Sequence, residues 1–237
     1  MILAVLQARM TSTRLPGKVM LPLAGAPMIL RQIERIARAA RIDRLVVATS
    51  VDPSDDILET TLAAAGLSVF RGPLDDVQAR YVAALDAHPA EHIVRLTADC
   101  PLTDPMVIDA TIDHVIAAGA DYGSNTPPLR TFPKGLDVEV MTAKALREAA
   151  AAPTDEARQH VTWDLHRGPD LWKQAFFSQA PQEGEVRWTV DRPDDYAFVS
   201  AVYDALYPSD PAFTSDAVRA FVRGREDLAM LGGELRV

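Results

Sequence analysis

From residue 1 to residue 119, short apolar runs and amphipathic stretches take turns along the chain. Met1 to Leu6, Leu45 to Thr49, Leu67 to Phe70 and His92 to Thr97 have the length and composition of buried strands. Between them, Gly25-Ala26-Pro27 opens a helix that places Ile29, Ile33, Ile36 and Ala40 on one face. Ser54 reads as the cap of a second helix, with Asp55 and Asp56 in its first turn and Gly66 past its end. A third starts near Asp75, with Val77, Tyr81 and Leu85 inward. Asp104-Pro105 caps a fourth through Val107, Ile108, Ile112 and Val115, ended by Gly119. Strand followed by helix, four times over, predicts an α/β fold: a mostly parallel sheet with helices on both faces.

Past residue 119 the alternation loosens. Residues 125–135 hold three prolines and read as a long loop. Asp137 to Val140 alternates acids with valines as a strand. Thr142 to Ala152 and Thr154 to Arg167 read as helices, and Trp172 to Gln179 and Val186 to Val190 as strands. Pro193 to Tyr207 is an amphipathic helix with Phe198, Val199, Val202 and Leu206 inward. Thr214 caps another through Val218, Phe221 and Val222. No linker separates independent domains, so residues 1–237 read as one domain, with a subdomain of about 124–180 inserted before the last sheet strand.

The polar chemistry concentrates just after the first strand. Gln7-Ala8-Arg9-Met10-Thr11-Ser12-Thr13-Arg14-Leu15-Pro16-Gly17-Lys18 brings three cations and several hydroxyls into one loop, at the strand end where α/β sheets bind ligands. Guanidinium forks, an ammonium and backbone N–H groups suit a polyphosphate. It is not a P-loop, because Val19 follows Gly17-Lys18, and no GxGxxG occurs in the chain. The net charge of -9 argues against a nucleic-acid partner, which needs a wide basic surface. One cysteine, Cys100, allows no internal disulfide and fits a reducing cytoplasm; without a cationic neighbour in sequence it reads as a packed residue, not a nucleophile. No signal peptide or membrane span is read.

Asp99 and Asp191 each end an apolar run, and would share an edge with the cationic loop if their strands are parallel neighbours. Two uses stay open for them. They suit a Mg²⁺ ion, which takes one or two carboxylates beside nucleotide phosphates, and they equally suit helix capping before Pro101 and Pro193. Arg71 is a nucleotide ligand or a surface cation. Asp75 and Asp76 are in capping positions. Arg130, Lys134, Asp137 and Glu139 line a loop and a strand face that would grip an acidic sugar, or are simply a solvated face. His160 is a ligand or an ordinary surface histidine.

Ala8-Arg9, Ser12, Arg14, Pro16 and Lys18 resemble the Ala-Arg-x-x-Ser-x-Arg-x-Pro-x-Lys signature of the CMP-sugar synthetases. The fuller run from Gln7 to Lys18 is most similar to the spore-coat-polysaccharide type of cytidylyltransferase. Thr97-Ala98-Asp99-Cys100-Pro101-Leu102 resembles that family's Thr-Gly-Asp-Cys-Pro-Leu segment, with Ala98 for Gly. Val190-Asp191-Arg192-Pro193-Asp194-Asp195 resembles its Val-Asp-x-Pro-Glu-Asp, with Asp194 for Glu. Gly135 to Glu139 and Gln159-His160-Val161-Thr162 match further segments, the latter with Gln159 for Glu.

The resemblance implies a Rossmann-like nucleotide-diphospho-sugar transferase fold and transfer of CMP from CTP to an acidic sugar. It implies nucleotide contacts at Leu6, Ala8, Arg9, Ser12, Arg14, Lys18 and Arg71, Mg²⁺ on Asp99 and Asp191, and catalytic roles for Arg14, Lys18, Asp99 and Asp191. Sugar contacts fall to Arg130, Lys134, Asp137, Glu139 and His160. A homodimer through the 124–180 insert and a role in surface polysaccharide synthesis follow from the same resemblance. Against it stand a nucleotidyltransferase using another NTP, a glycosyltransferase consuming a nucleotide sugar, and a non-catalytic nucleotide binder, which retention of both aspartates disfavours.

Overall fold

Alternate residues of the first strand serve opposite cores: Ala4 and Leu6 enter one, Leu3 and Val5 the other. A computed structural model describes residues 1–126, 128–168 and 170–237. The strand–helix half runs β1 (Ile2–Gln7), a small hairpin β2 (Pro22–Leu23) and β3 (Ala26–Pro27), α1 (Met28–Ile36), β4 (Arg44–Ser50), α2 (Asp56–Ala64), β5 (Val69–Gly72), α3 (Val77–Ala87), β6 (His92–Thr97) and α4 (Pro105–Ala117). The second half runs β7 (Tyr122–Ser124), β8 (Glu139–Thr142), α5 (Ala143–Ala151), α6 (Asp155–Gln159), α7 (Trp163–Arg167), β9 (Gln174–Phe176), α8 (Pro193–Leu206), α9 (Ser215–Val222) and α10 (Glu226–Ala229).

Among the described residues seven strands form the main sheet, in the order β5-β4-β1-β6-β8-β7-β9. β1 pairs in parallel with β4 and β6, β4 with β5, and β7 with β9; β8 runs antiparallel to β6 and β7. Strand order reverses direction at β1 and β6, whose carboxyl ends therefore flank the crevice where such sheets bind ligands. Helices α1, α2 and α4 cover one face through Ile29, Ile33, Leu58, Leu62, Ile108 and Ile112. Helices α3, α5 and α7 cover the other through Tyr81, Leu85, Leu146 and Leu165. The expected α/β architecture with two covered faces is borne out. Residues 124–180 are woven into it: they give β8 and β9 to the sheet and α5–α7 to one face. A third core gathers Leu102, Phe132, Leu136, Trp188 and Val190 with Phe198, Val199 and Val202 of α8 and Val218 of α9.

Several expectations are corrected. Helix α1 ends at Ile36 and a tighter turn follows, so Ala39 is buried and Ala40 exposed. The carboxylate of Asp52, not Ser54, caps the turn before α2, accepting the Ser54 N–H at 2.9 Å. β5 begins two residues late, at Val69, and so takes in Arg71 and Gly72. Residues 154–167 form two short helices, because the chain leaves helical geometry at His160 (φ -111°, ψ 41°) and Thr162 turns in to donate to Glu139 at 2.6 Å. Residues 172–179 contribute only three residues of ladder. Of the loop at 125–135, Pro127 lies outside the described residues.

The largest difference is at Val186 to Val190, which is extended but joins no strand of the sheet. Its backbone is bonded instead to loops: the Lys134 N–H donates to the Val186 carbonyl at 2.8 Å, the Trp188 N–H to the Lys134 carbonyl at 2.7 Å, and the Val190 N–H to the Asp99 carbonyl at 2.7 Å. Asp191 thus reaches Asp99 by a direct backbone tie and not as the end of a parallel neighbour.

Candidate active site

The loop after β1 is held from beneath. Asp55, fully buried, accepts the Met10 N–H at 2.7 Å, the Thr49 hydroxyl at 2.9 Å and the Ser50 N–H at 3.0 Å. The Ser12 and Gly17 N–H groups both donate to the Met10 carbonyl, at 3.0 and 2.9 Å, and Gly17 takes the left-handed φ of +69° that this closure requires. The loop is therefore preformed, with Arg9 and Arg14 extending outward as exposed side chains. At its end Lys18 turns inward and is buried.

Lys18 stands between the two aspartates. Its Nζ lies 3.3 Å from Asp99 Oδ2 and 3.0 Å from Asp191 Oδ1, and donates to the Val190 carbonyl at 2.6 Å. Arg14 Nη2 and Arg187 Nη2 both approach Asp191 Oδ2, at 3.0 and 2.8 Å. Burial works to raise the Asp191 pKa, but Lys18, Arg187 and Arg14 outweigh it and hold the carboxyl at about 2. The Cys100 thiol beside Asp99 is buried and pushed well up by that burial and by the aspartate charge, so it stays protonated and packed, as expected.

A cleft of about 700 Å³ opens over this cluster. Ala8, Arg9, Ser12, Arg14, Lys18, Asp99 and Asp191 line it. A second cleft of about 410 Å³ adjoins it, lined by Arg130, Glu139, Thr162, Trp163 and His166, and the two share Arg95 and His160. The structure thus brings most of the expected residues together. Leu6 lies beneath them, fully buried in the α1/α4 core. Arg71 does not line the cleft: its guanidinium is tied to Asp56 and Glu59 at 2.7 and 2.8 Å, and to the Ser50 and Asp52 carbonyls at 2.7 and 2.9 Å. Lys134 contributes backbone bonds to the 186–189 segment while its side chain stays exposed outside both linings. Asp137 is spent on holding Arg130, which grips it with both terminal nitrogens.

Arg95, Arg80, Arg187 and Asp195 were not singled out from sequence. Arg95 donates through Nε to Gln7 Oε1 at 3.2 Å and through Nη1 to Glu139 Oε2. Glu139 also accepts the Tyr122 hydroxyl at 2.8 Å; burial works to raise its pKa, but Arg95 and these hydroxyls bring it below the ordinary glutamate value. Arg80 holds the Pro73 carbonyl at 2.6 Å and the Leu74 carbonyl at 3.0 Å, shaping the loop that closes the larger cleft. A signal was present: each arginine interrupts an otherwise apolar strand or inward helix face, where a charge must have a partner.

A sheet of this order, with a preformed cationic loop and two carboxylates at its switch point, defines a nucleotide-binding α/β transferase. The family model described as Cytidylyltransferase matches residues 3–181, and the chain belongs to that family. It is 36% identical over 211 residues to the spore coat polysaccharide biosynthesis protein SpsF of Bacillus subtilis, covering 85% of this chain and 86% of that one. It is 35% identical over 131 residues to a 3-deoxy-manno-octulosonate cytidylyltransferase of Anaeromyxobacter dehalogenans, covering 54% and 52% of the two chains. A cytidylyltransferase structure from Leptospira borgpetersenii superposes with a TM-score of 0.90 at 26% identity, over 96% of this chain and 95% of that one. Among the described residues no helix is long and apolar enough to cross a membrane.

Proposed function

We propose that this protein transfers CMP from CTP to a hydroxyl of an acidic sugar and releases pyrophosphate, in the making of a surface polysaccharide precursor. One observation carries the reading: Lys18, Asp99 and Asp191 meet within 3.3 Å at the floor of a cationic cleft that runs into a second, polar cleft. The names of SpsF and of the octulosonate enzyme support the choice of sugar chemistry.

In this mechanism the sugar oxygen attacks the α-phosphorus, the bond from that phosphorus to the bridging oxygen breaks, and pyrophosphate leaves as the hydroxyl proton passes to water. Arg9 and Arg14, exposed at the cleft mouth, take the charge that builds on the leaving phosphates, Arg14 from its place against Asp191. Ser12 and the Ala8 backbone line the nucleotide half. Asp99 Oδ2 and Asp191 Oδ1 face one position that the Lys18 ammonium fills, so the donor set fits a cation. These two residues would hold Mg²⁺, which when bound supplies charge neutralisation at the α-phosphoryl group. Arg95 and His160 stand at the junction, and Arg130 and Glu139 shape the acceptor half. Arg71 supports the fold around the 50–59 turn and does not touch nucleotide. The chain works as a homodimer through residues 124–180.

The test is pyrophosphate release with each of the four NTPs and Mg²⁺ against a panel of acidic sugars. CTP-specific, sugar-dependent release is expected. Release of a nucleoside phosphate from a nucleotide sugar, with no pyrophosphate, would move the protein to the glycosyltransferases.

A further inference from the structure

Behind the cleft, opposite charges alternate into the core. Arg187 Nη2 holds Asp191 Oδ2 at 2.8 Å. Arg187 is itself gripped by Asp195, through Nε at 3.0 Å and Nη2 at 2.9 Å. Asp195 is 1% exposed and also accepts the Asp191 and Arg192 N–H groups, both at 3.0 Å. The far end is Arg236, fully buried, whose Nη2 donates to Asp195 Oδ1 at 2.9 Å and whose Nη1 donates to the Arg187 carbonyl at 2.8 Å. Residue 236 lies far beyond the residues 3–181 that define the family match.

We infer that Arg236 is a positioning residue for Asp191, acting through Asp195 and Arg187. This rests on Asp191 being a metal-facing carboxylate. Asp191 has two oxygens with different duties. Oδ2 is shared by Arg14, which is exposed, and Arg187, which is buried and fixed from behind, and this turns Oδ1 toward Asp99 Oδ2 and the cation position between them. Arg187 can do so only while Asp195 keeps its fork in place, and Arg236 fixes the second oxygen of Asp195. Buried ion pairs of this kind add little net stability but set geometry, because any other arrangement strands a charge. Outer partners of metal-binding carboxylates act in the same way.

A purely structural role for Arg236 would be to staple the last residues onto the core. The Arg236 guanidinium does hold the Leu231 carbonyl, at 3.2 and 3.0 Å, but the staple has a further member outside the charge ladder: Trp188 Nε1 donates to the Arg236 carbonyl at 2.8 Å. The experiment therefore measures Mn²⁺ binding to the CTP complex by electron paramagnetic resonance, alongside melting temperature, in wild type, Arg236→Met, Arg236→Lys, Trp188→Phe and Asp191→Asn. Arg236→Met is expected to weaken Mn²⁺ binding about tenfold. Trp188→Phe should lower the melting temperature and leave Mn²⁺ affinity unchanged. Arg236→Lys keeps the charge but reaches one acceptor only, and should fall between; it carries the comparison if Arg236→Met does not fold. Mn²⁺ affinity in the Arg236 variants no weaker than in Trp188→Phe would overturn the inference. Wild-type affinity in Asp191→Asn would overturn it differently, by removing Asp191 from the metal site.

Discussion

In the larger half of the cleft, Arg9 and Arg14 are exposed side chains on a loop whose backbone is already bonded to Asp55 and to itself, and Arg14, Lys18 and Arg187 together outnumber the two aspartates they face. In the smaller half each arginine already holds a carboxylate: Arg95 on Glu139, Arg130 on Asp137. The first half keeps cationic charge in reserve for a polyanion, on a scaffold that needs none of it to fold. The second is charge-balanced, and its ions are part of what holds β6, β8 and the start of helix α7 together. A charge removed from the first half should therefore cost chemistry, and one removed from the second should cost stability.

Glu139→Gln breaks that comparison hardest if it is wrong. The substitution takes away the only carboxylate that pairs with the largely buried Arg95 guanidinium among the described residues, a loss approaching the ~3–5 kcal/mol of a broken buried pair. The folded glutamate sits below its ordinary value of 4.5. Its stabilisation is thus complete above that pH and is lost as pH falls through the lower, folded value. Denaturant melts from pH 7 down to pH 3 are expected to show the wild type losing stability on the acid side. The variant should start lower and show a flatter acid limb. Parallel acid limbs would remove Glu139 from the stability account.

Asp99→Asn tests the other half. Here turnover should fall at least 10²–10³-fold, about 3–4 kcal/mol, as for loss of one well-placed group at a comparable site. The melting temperature should hold, because among the described residues the Asp99 carboxylate meets only Lys18 and Cys100. Steady-state pyrophosphate release and a thermal melt on the same preparation decide it. A variant that melts early and turns over normally would invert the comparison.

How much of this was legible in the chain follows from how local each feature is. Strands β1, β4 and β6, the cap at Asp104 and the cationic loop after Gln7 are set by neighbours in sequence and stand where periodicity and turn chemistry put them, while β5 is displaced by two residues. Val186 to Val190 is apolar enough to read as a strand, yet its hydrogen bonds go to Lys134, Asp99 and Leu235, contacts that no local pattern encodes. The same distance hid Arg236, which meets Asp195 across 41 positions. Arg95 was within reach: a cation inside His92-Ile93-Val94-Arg95-Leu96-Thr97 demands a buried partner, and Glu139 supplies it from the neighbouring strand.

Lys18→Met sharpens the boundary between the halves. With the ammonium in place, the position between Asp99 and Asp191 is already neutralised. A free divalent cation must displace a pair worth about 4 kcal/mol at such distances near a protein surface, before desolvation is returned. Wild type without nucleotide should therefore bind Mn²⁺ weakly, and Lys18→Met at least about tenfold more tightly, about 1.4 kcal/mol. In the presence of CTP the order should reverse, since Lys18 then has phosphates to bind. Equal Mn²⁺ affinity for the two nucleotide-free proteins would show that the ammonium does not guard the site.

The smallest effect is expected at Arg71, and its smallness is informative. Arg71 sits at the carboxyl end of β5, the same end of the sheet as the cationic loop, and by position alone belongs with the nucleotide ligands. Its guanidinium, however, is committed to Asp56, Glu59 and the carbonyls of Ser50 and Asp52, and it is absent from the cleft lining. Partly exposed pairs of this kind add little to stability. If Arg71 acts only by tying down the 50–59 turn, Arg71→Ala should leave kcat untouched and shift the CTP KM by no more than about twofold, the signature of no lost transition-state contact and little lost ground-state contact. Arg80→Ala, which frees the Pro73 and Leu74 carbonyls at the cleft wall, should shift that KM further although it lies in the first turn of α3 and outside the cationic loop. A larger KM change at Arg71 than at Arg80 would mean that the guanidinium leaves its carboxylates when nucleotide arrives. The cationic half would then extend to the sheet edge.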